Sequence, residues 1–576
     1  MKILFLTHSF NSLAQRLHIE LARCGHEVSV EFDINDAVTV QAVELYRPDL
    51  IIAPFLKRAI PEVVWRNHIC FVVHPGIVGD RGPSALDWAI MRDCAEWGVT
   101  LLQASGEMDA GDVWAAETFP MRLAMKSSLY RNEVSEAAVR AALVAVVRFQ
   151  SGDYKPIPLD YSNPEVLGRL HAPIKQADRA IDWQRDDTRT VLKKIHAADG
   201  FPGVLDSLYG EAYYLFDACA EDTLHGSQPG EIIAQRNGAI CRATHDGAVW
   251  IGHVKRKLEG EPALKLPAAL ALGVRLADVP EVPLDPFIPS PSETWRDIRF
   301  EQKGNVGYLH FDFYNGAMNT EQCERLRETY IAATQRDVRV IVLMGGVDFW
   351  SNGIHLNCIE AAASPADESW RNINAMNDLT RAIATTGSQL TIAALQGNAG
   401  AGGVFLSLAA DRVYAREGVV FNPHYKGMGN LYGSEYWTYL LPRRVGEARA
   451  AALTQNRLPV GTMEAQEMGL IDDCLGADRA SFLARVELIA EGLAASPDYS
   501  VLLREKVDRR ERDEGEKPLD TYRAEELQHM KLNFYGFDPS YHVARCNFVY
   551  KIPHAWTPLY LARHRRIRQS LSGARQ

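Results

Sequence analysis

The first part of the chain alternates short apolar runs with stretches of helical periodicity. The run KILFLT predicts a buried strand, and SLAQRLHIELARC predicts a helix that Gly25 ends in the left-handed conformation. Three further apolar runs, in HEVSVEF, PDLIIAPF and HICFVVH, predict three more strands. Strands separated by helix-length segments indicate a parallel sheet with crossover helices. We therefore predict an α/β, Rossmann-like domain over residues 1–170.

The pattern changes after residue 170. Over 171–285 the strand-like pieces EAYYLFDA, GEIIAQ, AICRAT and AVWIGHV are separated by turn residues, which predicts a small β-barrel or sandwich. The proline-rich stretch at 278–293 is typical of a linker, because proline interrupts both helix and sheet. Residues 286–576 contain the strands YLHFDF and VRVIVLMG, glycine-rich turns and several long helices. This last segment is predicted to be a second α/β domain.

Composition narrows the class of protein. A chain of 576 residues exceeds what one hydrophobic core usually holds, so two or three domains are expected. The net charge of −11 argues against nucleic-acid binding. The nine cysteines are scattered singly, which predicts reduced thiols and neither disulfides nor a metal site. No apolar run approaches the roughly 18 residues that a membrane span requires, so we expect a cytoplasmic protein without membrane contact.

A histidine and an aspartate form the first candidate site. The fourth predicted strand ends at His74, and the carboxyl ends of such strands are where open parallel sheets bind ligands. Asp109 follows in a glycine-flanked turn. A carboxylate can orient an imidazole that shuttles a proton near neutral pH. A single strand-end histidine more often only bonds a backbone carbonyl, so the surrounding motif decides between the two interpretations.

That motif resembles the 10-formyltetrahydrofolate-dependent formyltransferases, including methionyl-tRNA formyltransferase. The string FVVHPGIVGDRGPSALDWAI, followed by GVTLLQASGEMDAGD, has the family's order of a strand-end histidine, an Arg–Gly loop and an Asp-x-Gly-Asp turn. The resemblance continues through SSLY at 127–130 and IDW at 181–183. It implies a formyl group taken from 10-formyltetrahydrofolate. The implied catalytic residues are His74 and Asp109, and the implied cofactor-binding residues are Arg81, Gly82 and Pro83.

One position departs from this family. Its catalytic asparagine falls at Val72, whose side chain cannot help to hold a tetrahedral intermediate. Either another donor replaces the amide, or the acceptor of the formyl group is not an ordinary amine. A thiol fits, because a thiolate needs less help from a base than an amine does. A pocket that binds folate without catalysis is the alternative.

Two glycine-rich elements mark the last segment. They are GGVDFWSNGIHLN and ALQGNAGAGGVFLSLAADRVYA, and backbone N–H groups at such turns can form an oxyanion hole. Together with the later Gly-Leu-Ile-Asp at 469–472, their order resembles the crotonase, or enoyl-CoA hydratase/isomerase, superfamily. The resemblance implies coenzyme A binding. It also implies that the N–H groups of Ile354 and Gly402 hold a thioester carbonyl oxygen.

The hydratase glutamates are absent from the matching positions, which are Phe405 and His424. Simple hydration is therefore not expected, and the chemistry must use other groups in the loop NPHYKGMGNLYGSEYWTYLLPRR. Six aromatic or ionisable groups crowd this loop, and we expect two or three of them to face the pocket: His424, Tyr425, Tyr432, Glu435, Tyr436 and Tyr439. Glu435 and His424 are the better candidate bases. The candidate catalytic residues of this loop are His424, Tyr432, Glu435, Tyr436 and Tyr439.

The fusion as a whole resembles the HypX (HoxX) family of hydrogenase maturation proteins. Formyl-CoA has no α-carbon, so a crotonase-like site acting on it is left with hydrolysis, transfer or loss of carbon monoxide. The resemblance implies the last of these: the formyl group passes from 10-formyltetrahydrofolate to coenzyme A, and carbon monoxide is released for the iron of NiFe-hydrogenase. Implied partners are hydrogenase maturation proteins or the hydrogenase large-subunit precursor.

Coenzyme A would then have to reach both sites. Candidate contacts are Arg131, Ser227, Gln228 and the C-terminal run RHRRIRQ, although an exposed arginine, a simple turn or a solvated helix face would look the same. Two other functions remain open. One is a formyltransferase with a different acceptor beside an acyl-CoA hydrolase or isomerase, and the other is a scaffold that binds folate and coenzyme A without turnover.

Overall fold

The first domain of the computed structural model, which describes residues 1–566, is a sheet in the order β2-β1-β3-β4-β5-β6. Strands β1 to β4 are parallel, whereas β5 and β6 are each antiparallel to the strand before. Gly25 has the left-handed φ of 81° predicted for the end of the first helix. The strands are β1 (Lys2–Thr7), β2 (Glu27–Phe32), β3 (Leu50–Phe55), β4 (Cys70–His74), β5 (Glu96–Gln103) and β6 (Val113–Pro120). The helices are α1 (Ser12–Arg23), α2 (Asp36–Tyr46), α3 (Glu62–Trp65), α4 (Ala85–Met91), α5 (Lys126–Leu129) and α6 (Ser135–Ser151).

The middle domain is an antiparallel sheet in the order β7-β8-β11-β10-β9, with β12 also paired to β11. The prediction was a small β-barrel or sandwich, and the sheet does not close into a barrel, because no pairing within residues 1–566 joins β7 to β9. The outer edge of β9 is instead covered by the proline-rich segment. Gln235 N of β9 donates to the carbonyl oxygen of Pro280, and Val282 N donates back to the carbonyl oxygen of Gln235, each at 2.9 Å. The elements are β7 (Val204–Leu208), β8 (Glu211–Glu221), β9 (Ile232–Arg236), β10 (Ala239–Ala243), β11 (Ala248–Arg256), β12 (Lys265–Pro267), α7 (Thr188–Ala198) and α8 (Ala268–Leu272).

The third domain contains two sheets, in the orders β13-β14-β15-β17-β19-β22 and β16-β18-β20-β21. Most of their pairs are parallel, and long helices pack around them. The strands are β13 (Ile298–Lys303), β14 (Val306–Phe311), β15 (Val340–Leu343), β16 (Phe349–Ser351), β17 (Leu390–Leu395), β18 (Asn398–Gly400), β19 (Arg412–Ala415), β20 (Val420–Asn422), β21 (Val460–Gly461) and β22 (Asp473–Cys474). The helices are α9 (Thr320–Thr334), α10 (Leu356–Ala361), α11 (Pro365–Ala384), α12 (Gly402–Leu408), α13 (Trp437–Val445), α14 (Glu447–Asn456), α15 (Thr462–Glu467), α16 (Arg479–Ala495), α17 (Tyr499–Glu516), α18 (Leu519–Tyr535) and α19 (Ser540–Val549).

Residues 554–566, here called the C-terminal clasp, leave the third domain and lie on the first. They cover β2, which is the edge strand of the first sheet. Val30 N donates to Leu561 O at 3.1 Å, and Phe32 N donates to Thr557 Oγ1 at 2.9 Å. Leu561 also joins the hydrophobic core of the first domain. The C-terminal clasp therefore supplies the edge contacts and part of the hydrophobic core of the first domain.

A buried carboxylate fixes this contact. Glu31 is fully buried on β2, and His564 Nε2 and Arg565 Nε each lie 2.8 Å from its Oε2. Two residues of the predicted phosphate-binding run RHRRIRQ are thus already paired, and the part of that run from Ile567 onward lies outside the described residues. Within residues 1–566, no helix combines the length and the apolar character needed to cross a bilayer.

Candidate active sites

The imidazole of His74 lies between two carboxylates at the carboxyl end of β4. Its Nε2 is 2.9 Å from Asp80 Oδ1, and its Nδ1 is 3.6 Å from Asp109 Oδ2. The His74 and Asp80 side chains are buried. A ring held between two carboxylates can accept a proton and remain electrically balanced while it carries the positive charge. The arrangement suits proton transfer to and from a bound substrate.

Asp80 was not among the predicted site residues. It lies in the quoted motif, directly before the Arg–Gly–Pro loop, and that position is the only signal that the sequence offers. Gly76 makes its contact with His74 possible, because a Cβ at this glycine would lie 2.5 Å from His74 Nε2 and 2.6 Å from Asp80 Oδ1. His171 Nε2 lies 3.7 Å from the other oxygen of Asp80. The segment that leads into the middle domain therefore closes over the buried carboxylate.

The predicted folate-side loop orients Asp109. Gly82 N donates to Asp109 Oδ2 at 3.2 Å, and Arg81 Nε donates to the carbonyl oxygen of Met108 at 3.0 Å. Gly82 has a φ of 113°, and a Cβ there would lie 2.4 Å from the carbonyl oxygen of His171. Pro83, the next residue, is exposed. The loop and the Asp109 turn thus form one wall beside His74.

Val72 occupies the position two residues before His74 on the same strand. Side chains alternate along a strand, so Val72 and His74 project from the same face of the sheet. Val72 is partly buried and supplies no hydrogen-bonding group to that face. Val72 therefore adds no polar group to the imidazole and its two carboxylates.

Two backbone turns meet at the second site. Ile354 follows Gly353, which has a φ of 77°, and α12 begins at Gly402 after a left-handed Ala401. A Cβ on Gly353 would lie 3.3 Å from Gly402 N, so the turns are in contact. Among residues 1–566 the N–H groups of Ile354 and Gly402 donate to no acceptor. Two adjacent unpaired N–H groups, one at the start of a helix, can hold an oxyanion.

Glu435 lies directly beside this pair of turns. A Cβ on Gly402 would come within 2.3 Å of Glu435 Oε1, so only glycine fits there. The Tyr425 hydroxyl donates to the other oxygen of this carboxyl. Burial raises the pKa of Glu435 to about 8, and the charge of Glu526 acts in the same direction. Burial also raises the pKa of Tyr425 well above its usual value. At neutral pH the Glu435 carboxyl is therefore mostly protonated.

Tyr425, the aromatic partner of Glu435, was one of the six groups of this loop but was not among the candidate catalytic residues. It belongs to the same loop as the predicted candidates, and its ring stacks on Phe405 with centroids 5.3 Å apart. Phe405 occupies one of the positions where hydratases carry glutamate. The hydroxyl of Tyr425 thus stands near the place where the sequence lacks a carboxylate.

The three predicted tyrosines make other contacts. The ring of Tyr432 stacks on His529, with centroids 4.1 Å apart. Tyr439 donates to Asp513 Oδ2 at 2.8 Å, on the side of α17. The Tyr436 hydroxyl is buried and has no hydrogen-bond partner in the described part of the chain. In this structure the tyrosine that contacts Glu435 is Tyr425.

His424 faces a different neighbour from Glu435. Burial, and to a smaller extent the positive charge of Arg457, lower its pKa to about 4. An imidazole of such low basicity is neutral at physiological pH. Glu435 thus lies beside the turns that carry the two N–H donors, whereas the charged neighbour of His424 is Arg457.

Comparison with known proteins assigns both halves. Residues 302–532 match the enoyl-CoA hydratase/isomerase family, and residues 173–266 match the formyl transferase C-terminal domain. Methionyl-tRNA formyltransferase of Ralstonia nicotianae is 24% identical over 38% of this chain and 67% of that protein. The hydrogenase maturation factor HoxX of Bradyrhizobium diazoefficiens is 56% identical over 98% of this chain and 97% of the relative. The chain belongs to the HoxX (HypX) family of hydrogenase maturation factors.

A solved structure supports the same assignment. The crystal structure of HypX from Aquifex aeolicus in complex with tetrahydrofolic acid is 50% identical in sequence. It superposes with a TM-score of 0.95 and covers 98% of this chain and 99% of that one. The predicted family is therefore confirmed, as are the Rossmann-like first domain and the crotonase-like third domain.

In this HoxX-family protein, Arg131 bridges the first and third domains. Its guanidinium donates to Asp348 Oδ2 at 3.3 Å and to Asn315 Oδ1 at 2.7 Å. Ser128 and Asn132 also donate to the Asp348 carboxylate, at 2.6 and 2.9 Å. Asp348 directly precedes β16 and the turn that carries Ile354. The interface therefore joins the folate-side domain to the proposed thioester site.

Lysine side chains face the same interface. Burial is the main cause that lowers the pKa of Lys265 to about 8. The charges of Asp199 and Asp217 oppose this shift, and the smaller effects of Arg131 and Lys551 act with burial. Lys265 Nζ donates to the hydroxyl of Tyr314 at 3.0 Å, across the boundary between the middle and third domains. Three cations thus lie close together where the three domains meet. The sequence prediction named only Arg131, because the two lysines are distant from any recognised motif.

Ser227 and Gln228 lie elsewhere. Both are exposed in a turn of the middle domain, and Ser227 Oγ donates to Glu231 at 3.0 Å. The structure does not bring this turn together with Arg131.

Proposed function

We propose that this HoxX-family protein converts 10-formyltetrahydrofolate to tetrahydrofolate and carbon monoxide, with coenzyme A as the intermediate carrier. The carbon monoxide would pass, in the cytoplasm, to hydrogenase maturation proteins or to the hydrogenase large-subunit precursor. The observation that carries the proposal is the buried Tyr425–Glu435 pair against the free N–H groups at Ile354 and Gly402. A base beside an oxyanion site suits the removal of a proton from a thioester that has no α-carbon.

The first step takes place at His74. The sulfur of coenzyme A attacks the formyl carbon of 10-formyltetrahydrofolate, so that a C–S bond forms and the bond from carbon to N10 breaks. His74 accepts the thiol proton and returns it to N10, while Asp80 and Asp109 hold the ring and balance its charge. Val72 leaves no amide at this face, and a thiolate acceptor makes the smallest demand on such a site. The products are formyl-CoA and tetrahydrofolate.

The second step takes place at Glu435. The N–H groups of Ile354 and Gly402 hold the carbonyl oxygen of formyl-CoA, and the Glu435 carboxylate takes the formyl hydrogen as a proton. The C–S bond then breaks with its electrons on sulfur, and the proton returns to that sulfur. Carbon monoxide and coenzyme A are released, so atoms and electrons balance without an oxidant. The burial of this site limits competing hydrolysis.

The interface between the domains offers a place for coenzyme A. Arg131, Lys265 and Lys551 supply positive charge to its phosphates, and arginine binds phosphate well. The polar cavity beside Arg131 and Asp348 encloses about 20 Å³, which is room for about one water molecule. Coenzyme A would therefore enter there by displacing the contact between these two residues.

The test supplies 10-formyltetrahydrofolate and coenzyme A to the purified protein in a sealed vial. We expect tetrahydrofolate and carbon monoxide in equal amounts, and neither when coenzyme A is omitted. Glu435→Gln should lower carbon monoxide by about a hundredfold to ten-thousandfold and leave formyl-CoA to accumulate, since a general base contributes that much. Glu516→Gln, an exposed glutamate at the end of α17, is the matched control.

Other outcomes would select the other functions. Formyl transfer that does not depend on coenzyme A would indicate a different acceptor. Binding of both ligands without any product would indicate a scaffold.

A further inference from the structure

Helix α18 supplies acceptors for the backbone of the loop that carries Glu435. Asn533 Oδ1 accepts from Tyr432 N at 3.0 Å, and Met530 Sδ accepts from Gly433 N at 3.1 Å. Positions 526, 530 and 533 share one face of the helix, because they are three or four residues apart. The loop that carries Glu435 therefore packs along one face of α18, which lies about 100 residues later in the sequence.

Glu526 makes the largest share of these contacts. It is fully buried, and its carboxyl accepts from Tyr436 N at 2.9 Å, Thr438 N at 2.9 Å and Thr438 Oγ1 at 2.6 Å. The Ser434 hydroxyl lies 3.2 Å from the same group. Helix α13 begins just after Tyr436 and has no side-chain cap of its own. Glu526 therefore caps that helix from outside and places negative charge at its positive end.

The loop needs this support because its backbone is strained. Glu435 and Tyr436 have φ values of 60° and 57°. Non-glycine residues are strained in this left-handed region and persist there only where surrounding contacts hold them. Asn377 of α11 fixes one of them by accepting from Glu435 N at 2.7 Å. Glu526 fixes the other. Without these contacts the pair would relax and turn the Glu435 carboxyl away from Gly402.

We infer that Glu526 is a positioning residue for the thioester step. From α18 it holds residues 434–438 in the strained conformation that keeps the Glu435 carboxyl against Gly402. The inference rests on the proposed role of Glu435 as the base. Among residues 1–566 the Glu526 carboxyl bonds only to the loop, and it would not touch the substrate.

The electrostatic surroundings of Glu435 give the test a distinctive readout. The titratable groups that face it in the described chain are Tyr425 from the same loop, Glu526 from α18 and Cys323 from α9. Burial and then the charge of Glu526 raise the pKa of Glu435. Removal of that charge should lower the pKa, so the pH at which the base becomes active should fall.

The test is Glu526→Gln, which keeps the volume but removes the charge and one acceptor oxygen. With formyl-CoA supplied directly, kcat should fall by about tenfold to a hundredfold, as expected when a catalytic group is misplaced. KM should stay within about twofold, and the pH midpoint of the rate should move to lower pH. Glu525→Gln makes the same chemical change at an exposed neighbour on the same helix and should leave all three values unchanged.

Hydrogen exchange tests the inference even if the proposed reaction fails. The backbone N–H groups of Tyr436 and Thr438 donate to different oxygens of Glu526. Because glutamine keeps one acceptor oxygen, at least one of these two amide hydrogens should exchange about tenfold faster in Glu526→Gln. Wild-type protein that does not break down formyl-CoA would reject the proposed function, and unchanged exchange would reject the anchoring role separately. Faster exchange with an unchanged kcat and pH midpoint would also overturn the inference.

A second variant covers the case in which Glu526→Gln does not fold. Thr438→Val keeps the shape of the side chain and removes one of the hydrogen bonds to Glu526. It should lower kcat in the same direction by a smaller factor of about threefold, which corresponds to a loss of less than 1 kcal/mol. An unchanged kcat in this variant would count against the inference.

Discussion

The site around His74 lies almost within one stretch of chain, whereas the site around Glu435 is assembled from distant segments. His74 and Asp80 are six residues apart, and Asp109 is brought to them by one turn. At the other site, Gly402 and Glu435 meet only because a loop is held by Asn377 and Glu526 from two helices. A local sequence motif therefore records the first geometry but not the second.

The two sites also manage charge differently. The His74 ring has two carboxylates as neighbours, which balance a positive charge by pairing. The Glu435 carboxyl is buried with a tyrosine and has a pKa raised to about 8, so its charge is suppressed by burial. The two steps proposed for these sites, proton exchange with a folate nitrogen and removal of a formyl proton, would make these different demands. The comparison predicts that each site can be disabled without the other.

The largest effect is expected from His74→Ala. Formyl transfer should fall by about a hundredfold to ten-thousandfold, because the group that moves the proton is lost. Carbon monoxide release from added formyl-CoA should not change, since Glu435 carries that step. Tetrahydrofolate formation and headspace carbon monoxide are the two measurements. His245→Ala, at an exposed histidine, is the control, and an equal loss of both activities would contradict the separation of the sites.

A smaller effect is expected from Asp80→Asn, which sharpens the electrostatic half of the comparison. Asparagine keeps the shape and a hydrogen bond but removes the negative charge nearest to His74, so formyl transfer should fall by about a hundredfold. The initial rate of tetrahydrofolate formation measures this. Asp153→Asn changes an exposed aspartate of the same domain and should have no effect. A rate for Asp80→Asn equal to that of the wild type would show that Asp109 alone supports the ring.

The smallest effect concerns pH. Because Glu435 is proposed to act as a carboxylate and its pKa is raised to about 8, formyl-CoA breakdown should speed up as the pH rises through that value. From pH 7 to about pH 9 the ionised fraction, and with it the rate, should increase by about tenfold. The measurement is carbon monoxide release from formyl-CoA at fixed ionic strength. A rate that falls over this range would mean that the protonated carboxyl is the active form.

The sequence predicted the first sheet closely because buried parallel strands leave continuous apolar runs. The run KILFLT coincides with β1, and the strand predicted before His74 ends at that residue. The His74–Asp109 pair was proposed from its motif, but Asp80 was not, since a carboxylate within a turn usually serves only the turn.

The loop after His424 was harder to interpret for a physical reason. Its six aromatic or ionisable groups are equivalent by composition, and the contact between Tyr425 and Glu435 depends on a left-handed backbone that α18 imposes. Nothing near residue 435 in the sequence refers to residue 526. The sequence also did not show that the middle sheet stays unclosed. The segment that covers β9 is distant from that strand in the sequence and was interpreted only as a linker.

The C-terminal clasp has a consequence for how the protein is made. A ribosome releases β2 early, but the partner of its open edge lies 532 residues later, where Leu561 accepts from the strand. Throughout synthesis the nascent first domain exposes an unpaired strand edge, which is a hazard for aggregation. A truncated chain could fold its Rossmann-like core but would leave that edge bare, so the first domain is finished only once the third domain has been translated.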